Sequence, residues 1–220
     1  TGLQTPRNTA MRSQNVDLPL DGARQAQIQL KPAVGSILVK GSPDTASLAT
    51  GTLYLGTFDN VTVSDQTQDG TAVYQLETQG VGPVADVGPL TSANWDLAIN
   101  QRIPVDLVFR LGVGDANLDL SEMNVASLDA EVAIGQCTVT LPASGKFNAR
   151  LHGAIGQMVL IVPAGTPVKI MVNKGLAVLN YPSDFIGTED EVQSPEYATR
   201  ADRLEISLDQ AIGSILIRRE

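Results

Sequence analysis

Along residues 107–162 apolar and polar side chains alternate, and the phase of the alternation changes at regularly placed glycines. Counted back from Gly114, Gly135 and Gly156, apolar or small residues stand at −7, −5, −3 and −1. They are Leu107, Phe109, Leu111 and Val113; Leu128, Ala130, Val132 and Ile134; and Ala149, Leu151, Gly153 and Ile155. Beyond each glycine the apolar positions are +2, +4 and +6: Ala116, Leu118 and Leu120; Cys137, Val139 and Leu141; Met158, Leu160 and Val162. Alternate residues of a strand share a face, so each run predicts a strand with one buried side. The switch from odd to even positions would turn a straight strand inside out. A bulge or corner at the glycine, where no Cβ interferes, keeps both halves facing one interior. The −1 residues are expected inside with the others.

The pivots Gly114, Gly135, Gly156 and Gly175 follow one another at steps of 21, 21 and 19 residues, with further copies around Gly35 and Gly213. A coil of this size cannot stand alone. Fixing a backbone costs about 1–2 kcal/mol per residue, and the few inward side chains return only about 1.5–3 kcal/mol each. Stacked neighbours remove the deficit by sharing hydrogen bonds and a continuous core. The predicted fold is all-β: a right-handed β-solenoid-like stack of coils of about 21 residues in parallel register, with an N-terminal antiparallel meander.

The rest of the chain divides around that block. Residues 1–25 read as a lead-in with a short strand at 16–20. Residues 26–94 read as an N-terminal β region. It holds the coil around Gly35, a meander at 51–79 with hairpin turns at Asp59-Asn60 and Asp69-Gly70, and a Gly/Pro-rich link at 80–94. Residues 95–220 form the repeat region, interrupted by an acidic insertion at 183–202. That insertion is expected outside the stack as a partner-facing surface excursion, with 184–200 removable at little cost in stability. The coils at Gly35 and Gly213 are expected to be equivalent. Apolar residues in outward slots (Leu38, Val159, Ile161, Val178 and Leu216) predict a partly covered outer face, the cover being another layer such as the 51–79 meander or else a partner chain.

Charge and chemistry narrow the function. The 220 residues carry a net charge of −9, which opposes nucleic-acid or anionic-membrane surfaces. Cys137 is the only cysteine, so no intrachain disulfide forms, and its inward slot predicts a small buried hydrophobe. His152 is the only histidine and takes an outward slot, which argues against a histidine metal site or a triad. The GVGDAN stretch at 112–117 lacks the spacing and the following helix of a phosphate loop.

Carboxylates are more abundant. Asp115, Asp119 and Asp129 share one coil, and Asp184, Glu189, Asp190, Glu191, Glu196 and Asp202 fall in the insertion. A carboxylate row along one outward face would suggest polysaccharide chemistry. At +1, +3 and +5 the chain gives Asp115, Asn117 and Asp119, then Gln136, Thr138 and Thr140, then Gln157, Val159 and Ile161. The row fades, so no catalytic residue, metal site or cofactor is predicted, and ligand-binding residues stay unassigned. A non-enzymatic domain is the favoured reading, with a solenoid polysaccharide-active hydrolase or lyase as the alternative. No apolar run is long enough for a membrane span. The TGLQTPRN start is expected to be that of a trimmed or mature chain anchored upstream of Thr1.

The stretch NWDLAINQRIPVDLVFRLGVGDANLDLSEMNVASLDAEVAIGQCTVTLP and the AIG-type coils after it resemble the toast-rack family of bacterial cell-envelope domains. That family includes proteins of the cell-wall-antibiotic response and of adhesin type. Its pattern is a W-D-L-x-L/I-N strand, then P-x-D-L, then repeated G-x-G-[DQ]-x-x-[LV]-x-L units. AQIQLKPAVGSILVKG is similar to the segment that precedes these in some members, so the likeness covers about 26–181 together with the last coil. Where the family has acidic Gly-Ala-Gly-[DE] pivots, this chain has AIGQ, AIGQ and AIGS. The resemblance implies an extracytoplasmic domain with a sensing, scaffolding or adhesin-like role in envelope stress response or surface binding, and it brings no catalytic residues. It also implies as partner an envelope protein or cell-surface ligand, with a homo-oligomer allowed.

Overall fold

The computed structural model describes residues 11–43, 46–56, 59–79 and 93–220. The link expected at 80–94 therefore lies outside the described residues up to position 92. In chain order the strands are β1 (Arg12–Pro19), β2 (Gln25–Lys31), β3 (Val34–Ser42), β4 (Ser47–Leu55), β5 (Asn60–Gln68), β6 (Thr71–Gln79) and β7 (Ala93–Asn100). Then come β8 (Val105–Asp119), β9 (Val125–Thr140), β10 (Asn148–Val162), β11 (Val168–Asn180), β12 (Ile186–Gly187), β13 (Glu191–Gln193) and β14 (Leu204–Arg219), with one 3-10 turn at Pro195–Ala198. No α-helix occurs among the described residues. The strands form a single open sheet that does not close into a barrel.

Long strands bent at mid-length build the stack. β8 pairs in parallel with β2 through its first half and with β3 through its second, so β2 and β3 together replace one bent strand. β9 and β10 follow in parallel, with Gly114 opposite Gly135 and Gly135 opposite Gly156. Inward residues of both halves make one core cluster, in which Leu118, Val139 and Leu160 are fully buried neighbours. The shared layer predicted from alternation is present.

The bend has a different form from the one the alternation implies. Pairing skips the −2 residues, as at Gly112 and Ala133, so the chain turns over one step before the glycine. Val113, Ile134 and Ile155 consequently point outward, each nearly half exposed. Their expected place in the interior is wrong. With Ile212 and Leu176 they form an exposed aliphatic row along the outside of the corner.

The glycines themselves answer to a close backbone approach. Gly135 has φ +140°, and a Cβ built there would lie 1.8 Å from the Gly114 carbonyl oxygen. The same contact recurs from Gly35 through Gly213, so the stack carries a column of glycine backbones with no space for side chains.

Order along the stack departs from order along the chain. β14, not β11, lies beside β10, and β11 pairs with the far side of β14. Gly213 thus sits opposite Gly156. Gly175 is no pivot: Ala177 stands opposite Gly213, and Gly175 takes the −2 position. Among non-glycine described residues only Asp21 and Asp69 have positive φ, so Ala177 does not adopt the pivot conformation.

The meander also divides. β5 and β6 form an antiparallel hairpin through Asp69-Gly70, both at positive φ as a tight hairpin turn requires. β6 then extends the first-half sheet by pairing with β2. No hairpin forms at Asp59-Asn60, because β4 joins β1 and β7 on the second-half sheet. Both pieces lengthen the sheet in its own plane, so neither covers the outer face. Val159 is buried with Thr138 and Leu216 on either side of it in register, while Val178 remains exposed.

The insertion at 183–202 is likewise no free excursion. β13 pairs antiparallel with β11, placing the fully buried Val192 opposite Ile170, and Phe185 joins the core. Removing 184–200 would strip a cap from the end of the stack and is therefore costly.

Candidate functional site

The outer face of the second-half sheet carries a groove of about 670 Å³ where β4, β7, β3, β8 and β9 run side by side. Register puts its side chains in two rows. One crosses the strands as Tyr54, Asn94, Ser36, Asp115 and Gln136. The second, two residues further along each parallel strand, runs Asp96, Leu38, Asn117 and Thr138, with Thr52 before Asp96 on β4. Neighbouring strands lie about 4.8 Å apart and alternate residues about 6.8 Å apart, which gives a regular grid of side chains that is polar except at Leu38. Ser36, short and central, leaves the hollow. Gln136 Nε2 donates to Thr138 Oγ1 at 3.3 Å and ties the rows together.

Two carboxylates belong to the groove and no basic residue lines it. Asp96 approaches Lys40 Nζ at 3.6 Å across a half-exposed pair, a contact worth at most about 1 kcal/mol. Asp115 stands two strands away and one row over, at a Cα separation of about 12 Å from strand geometry. Asp115 and Asn117 come from the repeat, where alternation already marked them as outward. Asn94, Asp96 and Tyr54 arrive on strands outside the repeat, and only the pairing of β7 with β3 and of β4 with β7 reveals them. The phase of the W-D-L-A-I-N stretch, with Trp95 inward, is the one sequence signal that Asn94 and Asp96 point out.

The other carboxylates singled out from sequence do not join this site. Asp119 closes its own turn, accepting from the Ser121 backbone N–H at 3.1 Å and from the Ser121 hydroxyl at 2.6 Å. Asp129 lies on the first-half sheet and pairs with Arg110 at 2.7 Å. His152, also on that sheet and partly exposed, has Nδ1 3.3 Å from Asp209.

Four acids of the insertion, Asp184, Glu189, Glu191 and Glu196, pair with basic residues of the neighbouring strands. Glu189 pairs with Lys174 at 2.9 Å and Glu191 with Lys169 at 2.8 Å. Arg219 of β14 reaches both Asp184 and Glu196 and lies over the Phe185 ring. The hydrogen bond from Arg200 holds the Asp202 carboxyl down at about 2. Among the described residues no three of His, Cys, Asp and Glu gather in a way that could hold a metal ion.

Cys137 lies in the core, and burial pushes its thiol up to about 12. A thiolate is the reactive species, so Ellman's reagent should label native protein at a negligible rate and label it fully in denaturant. Fast labelling of the native state would show that the stack opens at β9.

A stack of bent parallel strands, finished by antiparallel strands and bearing a groove on one outer face, defines an all-β repeat domain. A family model described as the N-terminal domain of toast_rack, DUF2154, matches residues 6–161, and the chain belongs to that family. Among solved structures, one described as a "putative cell adhesion protein" from Clostridium sporogenes superposes with a TM-score of 0.85 at 18% identity, over 96% of this chain and 100% of that one. A "putative adhesin" from Bacteroides fragilis aligns over 98% of this chain and 100% of its own, with a TM-score of 0.36 and 10% identity. A "putative adhesin" from Parabacteroides distasonis gives 0.30 and 10% over 97% and 98% of the two chains. A search of curated proteins finds no match. No helix among the described residues is long and apolar enough to cross a membrane.

Proposed function

We propose that this chain is an extracytoplasmic, non-catalytic binding domain of adhesin-like type, and that the groove across β4, β7, β3, β8 and β9 is where it holds its ligand. The observation that carries this reading is the grid itself. Two rows of side chains, polar except for Leu38, converge on a hollow, on strands whose backbone groups are already paired on both sides. Such a surface holds a ligand through side chains on a rigid support, with little ordering cost on binding. Family membership and the adhesion-type description of the structure with the same fold agree with it. A sensing or scaffolding role would use the same groove, with a component of the cell's own envelope as the ligand. The polysaccharide-cleaving alternative draws less support: one of the groove's two carboxylates is engaged by Lys40, and strand geometry sets the pair well apart.

Labelled domain should bind isolated bacterial envelopes or cultured animal cells, measured by flow cytometry and co-sedimentation. The double variant Tyr54→Ala, Asp115→Ala should lose at least about tenfold in binding, since each removes an exposed contact, while its melting temperature stays unchanged. Equal binding by the variant, or none by the wild type to either surface, would refute the reading.

A further inference from the structure

The geometry points to a neutral oligosaccharide as the ligand of this groove, an inference that rests on the binding role proposed above. The central strands β7, β3 and β8 are hydrogen-bonded on both flanks, so an extended peptide has no strand edge to join there, the usual way a sheet takes up peptide backbone. Recognition has to run through side chains alone. Apart from the central Leu38, those side chains are mixed in hydrogen-bonding character. Asp96 and Asp115 accept; Asn94, Asn117 and Gln136 donate and accept; Ser36, Thr138 and Tyr54 carry hydroxyls that do both. A matching ligand must present donors and acceptors densely on one flat face, which is the chemistry of vicinal sugar hydroxyls. A lipid chain offers none, and an apolar peptide side chain finds no deep anchoring pocket in so shallow a hollow.

The sign of the site narrows the choice further. Its charged lining residues are both acids, and Lys40 beside the groove is engaged by Asp96. A sialylated, sulfated or phosphorylated ligand would meet repulsion without compensation. Tyr54 supplies the remaining element. It stands at the end of the first row with 43% of its surface exposed, offering a ring face to the C–H face of a pyranose and a hydroxyl at its edge. The first row spans five strands, about 19 Å, which suits an oligosaccharide rather than a single sugar. The polar run also has an end, because Val159 and Leu216 continue the second row beyond Thr138.

The test is an immobilised panel of neutral gluco-, galacto- and manno-oligosaccharides beside sialylated and sulfated ones, followed by calorimetry on the best ligand. Wild-type protein is expected to bind at least one neutral series and no anionic one. Tyr54→Ala should weaken binding at least tenfold and Tyr54→Phe less than threefold, and Asp115→Asn should weaken it several-fold, with melting temperatures unchanged throughout. Binding only of anionic glycans, or neutral binding that survives Tyr54→Ala, overturns the inference. So does the absence of any glycan binding.

Treatment of the cells or envelopes separates its failure from that of the binding role. Loss of groove-dependent binding after periodate oxidation supports the glycan. Persistence after periodate with loss after protease removes the glycan and leaves the binding role standing. No groove-dependent binding to any surface removes both.

Discussion

Gly135→Ala should lower stability by more than about 3 kcal/mol, which for a chain of this size means a fall of roughly 6–12 °C in melting temperature. Two separate costs combine. The residue sits at φ +140°, a region that L side chains rarely adopt, at a cost of about 1–3 kcal/mol. The added methyl would also lie 1.8 Å from the Gly114 carbonyl oxygen, and backbone in the middle of a sheet cannot move aside without breaking ladder bonds on both flanks. Gly145→Ala provides the control. Its φ of +130° is nearly the same, yet nothing lies within 4 Å of the added carbon. Thermal melts of the two variants should therefore separate clearly. Equal losses would mean that the glycine column reflects conformation alone and not close packing between coils.

Val139→Asp should abolish the folded state at neutral pH. Val139 is fully buried between Leu118 and Leu160, and no basic group is available there to pair with a carboxylate. An unpaired buried charge costs several kcal/mol, against a total stability of about 5–15 kcal/mol for a typical domain. Val139→Ala removes volume without adding charge and should cost only about 1–3 kcal/mol. The adjacent Thr138 faces outward, so Thr138→Asp should cost only about 1 kcal/mol, far less than Val139→Asp. Circular dichroism with denaturant titration checks all three. A cooperatively folded Val139→Asp protein with a near-wild-type midpoint would mean that the layer is not sealed from water.

The candidate site was half legible. Asp115, Asn117, Gln136 and Thr138 stand at outward slots of a repeat whose phase is written in its leucines and valines, so their common face follows from alternation. Tyr54, Asn94 and Asp96 stand on β4 and β7, which carry no copy of the repeat. Their place in the groove depends on β7 pairing with β3 and β4 with β7, between segments far apart in sequence. The insertion misled for a related reason. Its acids look unpartnered in sequence because Lys169, Lys174 and Arg219, which pair with them, lie on other strands.

What the sequence determined by itself is the all-β repeat: the change of phase within each copy, the inward layers apart from the −1 residues, and the parallel register of β8, β9 and β10. Those features are local, because burial selects one face of each strand and equal spacing brings like residues opposite one another. The order of the last two coils and the side taken by the −1 residues were decided only in the tertiary structure. β11 and β14 alternate alike, and backbone hydrogen bonding does not distinguish their side chains. The distinction comes from the pivot. The slot beside β10 requires a residue with no Cβ, since one there would strike the Gly156 carbonyl oxygen at 1.8 Å. β14 brings Gly213 to that position, while β11 brings Ala177 and can only follow it. Val113, Ile134 and Ile155 turn outward for a similarly non-local cause: the bend must bring the glycine backbones of successive coils together, and that contact exists only once the coils are stacked.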